Sequence, residues 1–278
     1  MNQPKIFLIT GVSTGLGRAL AEVALREGHR VAGTVRDEAS ARSFEALAPG
    51  SAFAYLLDVT DTVRIAPTVA EIEQRTGPVD VLVNNAGYGH EGVLEEAALD
   101  DLRRQFEVNV FGAVAMIQAV LPYMRKRRAG RILNITSMGG IITMPGISFY
   151  HGSKFALEGI SESLAKEVRS LGIYVTAVAP GGFRTDWAGR SMVRSERRIA
   201  DYDAVFDPLR ERRKNISGHQ PGDPHKAGEA LLKLVASDDP PMHLLLGRDA
   251  MTMVREKLGA LKSEFDTWEQ VTLSTDFS

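Results

Sequence analysis

Tyr150 and Lys154 stand four residues apart in the run Y-H-G-S-K, thirteen positions after a hydroxyl at Ser137. Residues four apart on a helix share one face, so this spacing sets an ammonium beside a phenol. An unperturbed tyrosine titrates at about 10, too high for a base near neutrality. A neighbouring positive charge favours phenolate and lowers that value. Catalytic acids and bases work best near the operating pH, so the pair reads as a proton-transfer device. Ser137 offers a donor to an oxygen on which charge develops. His151 is adjacent to Tyr150 but points elsewhere on a helix, and it reads as packing or surface.

A second constellation opens the chain. Thr10 to Gly17 reads T-G-V-S-T-G-L-G, with an apolar run before it and an amphipathic one after it. Gly11 permits a sharp turn, while Gly15 and Gly17, flanking Leu16, let backbone approach a pyrophosphate. Ser13 and Thr14 add hydroxyl donors. A helix beginning near Arg18 would aim free N–H groups and its dipole at the phosphates. The same glycines also suit a strand-to-helix turn that binds nothing.

If a dinucleotide binds, the end of the second strand selects it. An acid there would accept hydrogen bonds from the ribose of NAD and repel a 2′-phosphate. The chain reads Gly33-Thr-Val-Arg-Asp37, with Val35 where the acid is expected and Arg36 beside it. A guanidinium grips a phosphate through charge-assisted bonds, which favours NADP(H) over NAD(H). Asp37 opposes this if the register shifts by a residue or two. Further on, Asp58, followed by Val59, can meet an adenine amino group or cap the next helix. Asn84, Asn85, Ala86 and Gly87 offer small residues where the chain would pass under an adenosine ribose.

These residues need a scaffold, and the hydrophobic pattern supplies one. Apolar runs at Lys5–Thr10, Arg30–Val35, Ala52–Leu57, Val79–Val83, Gly130–Thr136, Ile173–Ala179 and Met242–Leu246 predict strands. Helical spacing falls between them, at Arg18–Glu27, Ser40–Leu47, Val63–Arg75, Leu99–Arg127 and about Tyr150–Leu171. A disturbance is expected near Pro122. Strands apolar throughout and separated by helices predict an α/β fold, a doubly wound parallel sheet of about seven strands with helices on both faces. The whole chain, 1–278, reads as one domain without repeat or linker.

Two regions break the rhythm. From Trp187 to Lys226 (187–226) the chain turns polar and basic, with Arg194, Arg197, Arg198, Arg210, Arg212, Arg213 and Lys214. This is a solvated flap, or a lid over the ligand crevice that contacts an acidic substrate or the cofactor phosphates. The extension 249–278 carries Phe265 and Trp268. His90 and Glu91 either line the substrate pocket or sit in an ordinary loop. Met144, Phe149, Phe183 and Trp187 suggest an apolar pocket wall or core.

Composition narrows the function classes. The 278 residues are 44% hydrophobic and 24% charged, with a net charge of −2. Nothing in that balance argues for nucleic acid or an anionic membrane surface. The absence of cysteine excludes disulfides, thiol catalysis and zinc–thiolate sites, and no metal site is expected. Val108 to Met124 carries Asn109, Gln118 and Pro122 and falls short of the ~20 apolar residues of a membrane span. The expectation is a soluble, cytoplasmic protein.

Taken in order, these motifs closely resemble the short-chain dehydrogenase/reductase family in its single-domain form. The likeness runs from about residue 5 to 250: the glycine turn, the D-V pair at Asp58, N-N-A-G at Asn84, Asn109, Ser137, Y-x-x-x-K at Tyr150 and P-G at Pro180-Gly181. T-V-R-D and N-N-A-G-Y-G are similar to the hydroxysteroid- and retinol-type reductases. The resemblance implies a Rossmann-type fold and a carbonyl–alcohol oxidoreductase. It implies that Lys154 also meets the nicotinamide ribose and that Asn109 holds a water linking Lys154 to solvent. Pro180, Gly181, Phe183 and Thr185 would meet the nicotinamide amide. It further implies a homo-oligomer, dimer or tetramer, in which two long helices pair across subunits. A silent nucleotide sensor or scaffold of the same fold is the alternative, with reduction of a carbon–carbon double bond ranked below it.

Overall fold

A computed structural model describes residues 3–277; the ends of the expected domain and of the 249–278 extension, at residues 1, 2 and 278, lie outside it. Seven parallel strands form the main sheet: β1 (Ile6–Thr10), β2 (Arg30–Val35), β3 (Ala52–Leu56), β4 (Val81–Asn84), β6 (Gly130–Ile135), β7 (Ile173–Pro180) and β9 (His243–Leu246). Their order is β3-β2-β1-β4-β6-β7-β9. The order reverses direction between β1 and β4, the place where open α/β sheets leave a crevice beyond their carboxyl ends.

Side chains alternate across each strand and feed two apolar layers. In β1, Phe7 and Ile9 face one layer and Leu8 the other. The first layer packs under α1 (Gly15–Arg26), α2 (Glu38–Glu45) and α8 (Pro224–Ala236), through Leu20, Phe44 and Leu231. The second packs under α3 (Thr62–Arg75), α5 (Gly112–Arg127) and α6 (Ser148–Val168), through Ile72, Met116 and Leu164.

The long helix expected over Leu99–Arg127 forms as α4 (Leu99–Phe106), a π-helical turn (Glu107–Phe111) and α5. The disturbance is therefore at Asn109 and not at Pro122, which α5 carries inside it without a break. The segment Leu99–Arg127 is also long and apolar enough, by length and composition, to cross a membrane, correcting the expectation that it falls short. Its Met116, Ile117, Val120 and Met124 are spent on the second apolar layer.

The polar region 187–226 is tied to the body. Its strand β8 (Met192–Arg194) pairs in parallel with β5 (Gly89–Glu91), in the segment after β4. Helix α7 (Asp203–Ile216) follows it. The chain closes with α9 (Arg248–Thr267) and α10 (Glu269–Leu273).

Candidate active site

At the carboxyl end of β1 the glycine turn takes the shape its sequence requires. Gly11 and Gly15 hold φ of 72° and 67°, a conformation costly for any residue with a Cβ. A Cβ on Gly17 would lie 2.3 Å from the Asn85 side-chain nitrogen and 2.5 Å from the Gly11 carbonyl, so that position admits only glycine. Asn85 Nδ2 donates to the carbonyls of Thr10 (2.9 Å) and Gly11 (3.0 Å). Thr10 Oγ1 accepts from the backbone N–H of Asn85 and Ala86. The turns after β1 and β4 are thus one braced unit. At the start of α1, Thr14 makes no side-chain cap. The first amides of that helix stay free for an anion, flanked by exposed Ser13 and half-buried Leu16. These residues fit a dinucleotide pyrophosphate.

The end of β2 separates the two candidates for the ribose. Val35 is buried, and Arg36 is exposed with no hydrogen bond from its guanidinium among the described residues. Asp37 is occupied: its carboxylate accepts from the Ser40 N–H and hydroxyl, both at 2.8 Å, and caps α2. Those bonds hold its carboxyl below the usual range. Asp58 does not cap α3, since Asp61 does that. Asp58 accepts from the Thr60 N–H at 2.9 Å and hydroxyl at 2.8 Å and remains exposed. Val59 is buried in the niche left by Gly112.

Strand β6 runs into Ser137, and α6 carries Tyr150 and Lys154 on one face. Ser137 lies close enough to the Tyr150 phenol to favour its ionised form, while its Oγ accepts from the Gly139 N–H at 2.9 Å. Lys154 Nζ lies 5.8 Å from the centre of the Tyr150 ring and donates to the Ile135 carbonyl at 2.8 Å. The spacing places the pair as expected, but the titration differs from the sequence reading. Burial pushes the phenol up to about 12, against a smaller lowering from Ser137. Burial also pushes the Lys154 ammonium down to about 8. Desolvation outweighs the expected pull of ammonium on phenol because the phenol itself is buried.

Asn109 sits in the π turn and is fully enclosed. Its Nδ2 donates to the Tyr88 carbonyl (3.1 Å) and the Ser153 hydroxyl (3.0 Å), while Oδ1 accepts from the Tyr88 N–H (3.1 Å). A Cβ on Gly87 would lie 3.1 Å from Asn109 Oδ1 and 3.7 Å from Lys154 Nζ. The bare glycine keeps open a gap between those two groups. Single π turns recur at functional sites, and this one aims Asn109 at that gap.

After β7, Pro180 is buried and the Gly181–Thr185 turn swings back toward the glycine turn. The Thr185 Cβ lies 3.9 Å from where a Cβ on Gly15 would be, and buried Phe183 joins the first apolar layer. Asp249, from the start of α9, accepts from the Gly182 N–H at 2.6 Å and braces this turn. Sequence reasoning missed Asp249, for which the only signal was an acid in the first turn of a helix.

The remaining candidates divide. Trp187 lies over the Tyr150 ring, centroids 5.1 Å apart. His151 is buried packing: its Nε2 accepts from the Met144 N–H at 2.9 Å, which leaves Nδ1 to donate to the Gly139 carbonyl at 2.7 Å. His90 stacks on Phe149 at 5.0 Å and meets the Ser195 hydroxyl at 3.0 Å. Glu91 is buried under the basic region, where Arg194, Arg213 and Arg210 reach it at 3.2, 3.3 and 3.4 Å. Arg197 turns inward to Glu96 at 2.8 Å. Much of the basic run is therefore an anchor and not a solvated face. Among the described residues, no cluster of His, Asp and Glu could hold a metal ion.

Comparison with known proteins identifies the family. A family profile described as short chain dehydrogenase matches residues 5–194. The 3-ketodihydrosphingosine reductase of Bacteroides thetaiotaomicron is 39% identical over 249 residues, covering 88% of each chain. A short-chain dehydrogenase from Streptomyces avermitilis superposes with a TM-score of 0.93 at 40% identity, over 99% of this chain and 100% of that one. ElxO with NADP bound superposes at 0.73 with 26% identity, over 87% and 96%. The chain belongs to the short-chain dehydrogenase family and is an oxidoreductase acting on CH–OH groups.

Proposed function

We propose that this protein is an NADP(H)-dependent reductase that interconverts a ketone or aldehyde with its alcohol. The observation that carries the reading is Lys154 on the same helix face as Tyr150, its Nζ 5.8 Å from the centre of the phenol ring, in a chain whose glycine turn fits a pyrophosphate. NADP(H) is preferred because Arg36 is free at the end of β2 while Asp37 is committed to capping α2. A relative of known structure, ElxO, carries NADP.

The cofactor, when bound, supplies the hydride. Ser137 and Tyr150 donate hydrogen bonds to the carbonyl oxygen and polarise it. A phenol held near 12 is fully protonated at neutral pH, so Tyr150 is loaded to give its proton to the forming alkoxide. Lys154, cationic at that pH, stabilises the phenolate left behind. Asn109 and Gly87 frame the gap beside Lys154 through which a water can return the proton. The glycine turn with Asn85, Ala86, Asp58 and Val59 holds the adenosine and pyrophosphate. Pro180, Gly181, Phe183 and Thr185 orient the nicotinamide.

The test is NADPH consumption, followed by absorbance, over a panel of ketones that includes a 3-keto sphingoid base. Substrate-dependent oxidation with NADPH well ahead of NADH is expected. Tight NADPH binding with no turnover on any carbonyl would reverse the proposal in favour of the silent sensor.

A further inference from the structure

The closing helix presents an apolar seam most of which no other described residue covers. Met251, Val254, Leu258, Leu261, Phe265 and Trp268 follow one another at alternating steps of three and four. That is the heptad repeat with which one helix packs along another. Val254 is buried against the body and Leu261 half-buried. Their seam neighbours stand in solvent, with Leu258 54%, Phe265 64% and Trp268 60% exposed. Val271 and Leu273 continue the exposed apolar surface into α10. A helix that leaves its own body and shows two aromatic rings to water is marginal alone, since short isolated helices lack the packing that stabilises them.

Charge along the same helix says what covers it. With Met251, Leu258 and Phe265 at the a positions, Lys257 and Glu264 fall at g, and Arg255, Lys262 and Glu269 at e. Two copies running in the same direction would set Lys257 against Lys262 of the second copy, and Glu264 against its Glu269. Both contacts are like on like. Run oppositely about the seam's midpoint, Lys257 meets Glu264 of the second copy and Arg248 meets its Glu269, and these attractive contacts outnumber the like one between Arg255 and Lys262. A membrane surface fits poorly, because the carboxylates of Glu264, Asp266 and Glu269 surround Phe265 and Trp268 and repel anionic headgroups.

We infer that α9 is an assembly helix, which pairs antiparallel with α9 of a second copy of this chain. This contact is separate from any pairing of the two long helices that the family likeness implies.

The absence of cysteine makes the test clean, because a single introduced thiol is the only one to label. Nitroxides on Ala260→Cys, at the middle of the seam, should give a short inter-subunit distance by pulsed electron resonance. Labels on Thr252→Cys should lie about 20–30 Å further apart, given a rise of ~1.5 Å per residue. In the unlabelled chain, the double variant Phe265→Glu with Trp268→Glu should halve the mass seen by sedimentation. Short distances from both labels would overturn the antiparallel pairing. An unchanged mass in the double variant would overturn the interface, as would α9-dependent adsorption of monomers to anionic vesicles.

Discussion

The Trp187 indole lies across the Tyr150 phenol with centroids 5.1 Å apart and planes inclined at 57°. An aromatic wall from the polar region thus forms part of the space in which a substrate carbonyl would meet its proton donor. Trp187→Ala removes apolar contact from the pocket without touching the phenol hydroxyl. A bulky apolar ketone should lose about 10-fold or more in kcat/KM, since even a methylene in such a pocket is worth ~10-fold. A small ketone should be little affected. Equal losses for both would show that Trp187 acts on the fold and not on the substrate.

The Ser137 and Tyr150 hydroxyls predict two unequal defects. Tyr150→Phe removes the proton donor, and a positioned general acid contributes ~10²–10⁴-fold. Ser137→Ala removes one donor to the developing oxyanion, where ~10²–10³-fold is usual. Both losses should appear in kcat, with the Kd for NADPH nearly unchanged by fluorescence titration. Substantial turnover in Tyr150→Phe would remove the assigned role.

Arg36 and Asp37 are adjacent but do different work, and their variants should separate. Arg36→Ala should raise KM for NADPH far more than for NADH, because only NADPH offers a 2′-phosphate. Asp37→Ala removes the cap of α2, so its Tm should fall while the NADPH/NADH preference holds. A switch of preference in Asp37→Ala would mean that the carboxylate reaches the ribose after all.

The parts legible in the sequence are those that local chemistry dictates. The strands of the main sheet announce themselves because both faces are buried, as at Ile6–Thr10, where every residue is enclosed. The glycine turn is legible because a Cβ at Gly17 has no room. What escaped notice depends on partners far along the chain. Strands of three residues, Gly89–Glu91 and Met192–Arg194, are too short to show alternation and meet across about a hundred residues. Glu91 reads as a pocket or loop residue until three arginines from that distant segment close over it. The phenol's titration is illegible in the sequence for the same reason: spacing reveals which groups are neighbours but not how deeply they are buried.

Glu91 makes the attachment of the polar region testable. Glu91→Gln removes the carboxylate that Arg194, Arg210 and Arg213 share, and with it the ion pairs behind the β5–β8 ribbon. The 195–214 segment should then open more often, exposing its arginines to trypsin. Limited digestion should cut there several-fold faster than in the native chain, because cleavage follows the population of the open form. The first β-strands, remote from Glu91, should be cut no faster. An unchanged rate at 195–214 would mean the ribbon holds without the ion pairs.

Lys154 predicts how stability depends on pH. Its pKa is pushed down by burial from 10.5 to about 8, so the folded state binds this proton less readily than the unfolded chain. Stability therefore rises with pH wherever the unfolded state carries the extra proton. The favourable contribution of neutral Lys154 is complete above 10.5 and is lost as pH falls through about 8. Lys154→Met keeps the bulk but cannot titrate, and its lost bond to the Ile135 carbonyl is a constant offset. The Tm of the native protein minus that of Lys154→Met should accordingly be larger at pH 10 than at pH 7. A difference that stays flat, or shrinks with rising pH, would show that the amine is not desolvated beside Tyr150.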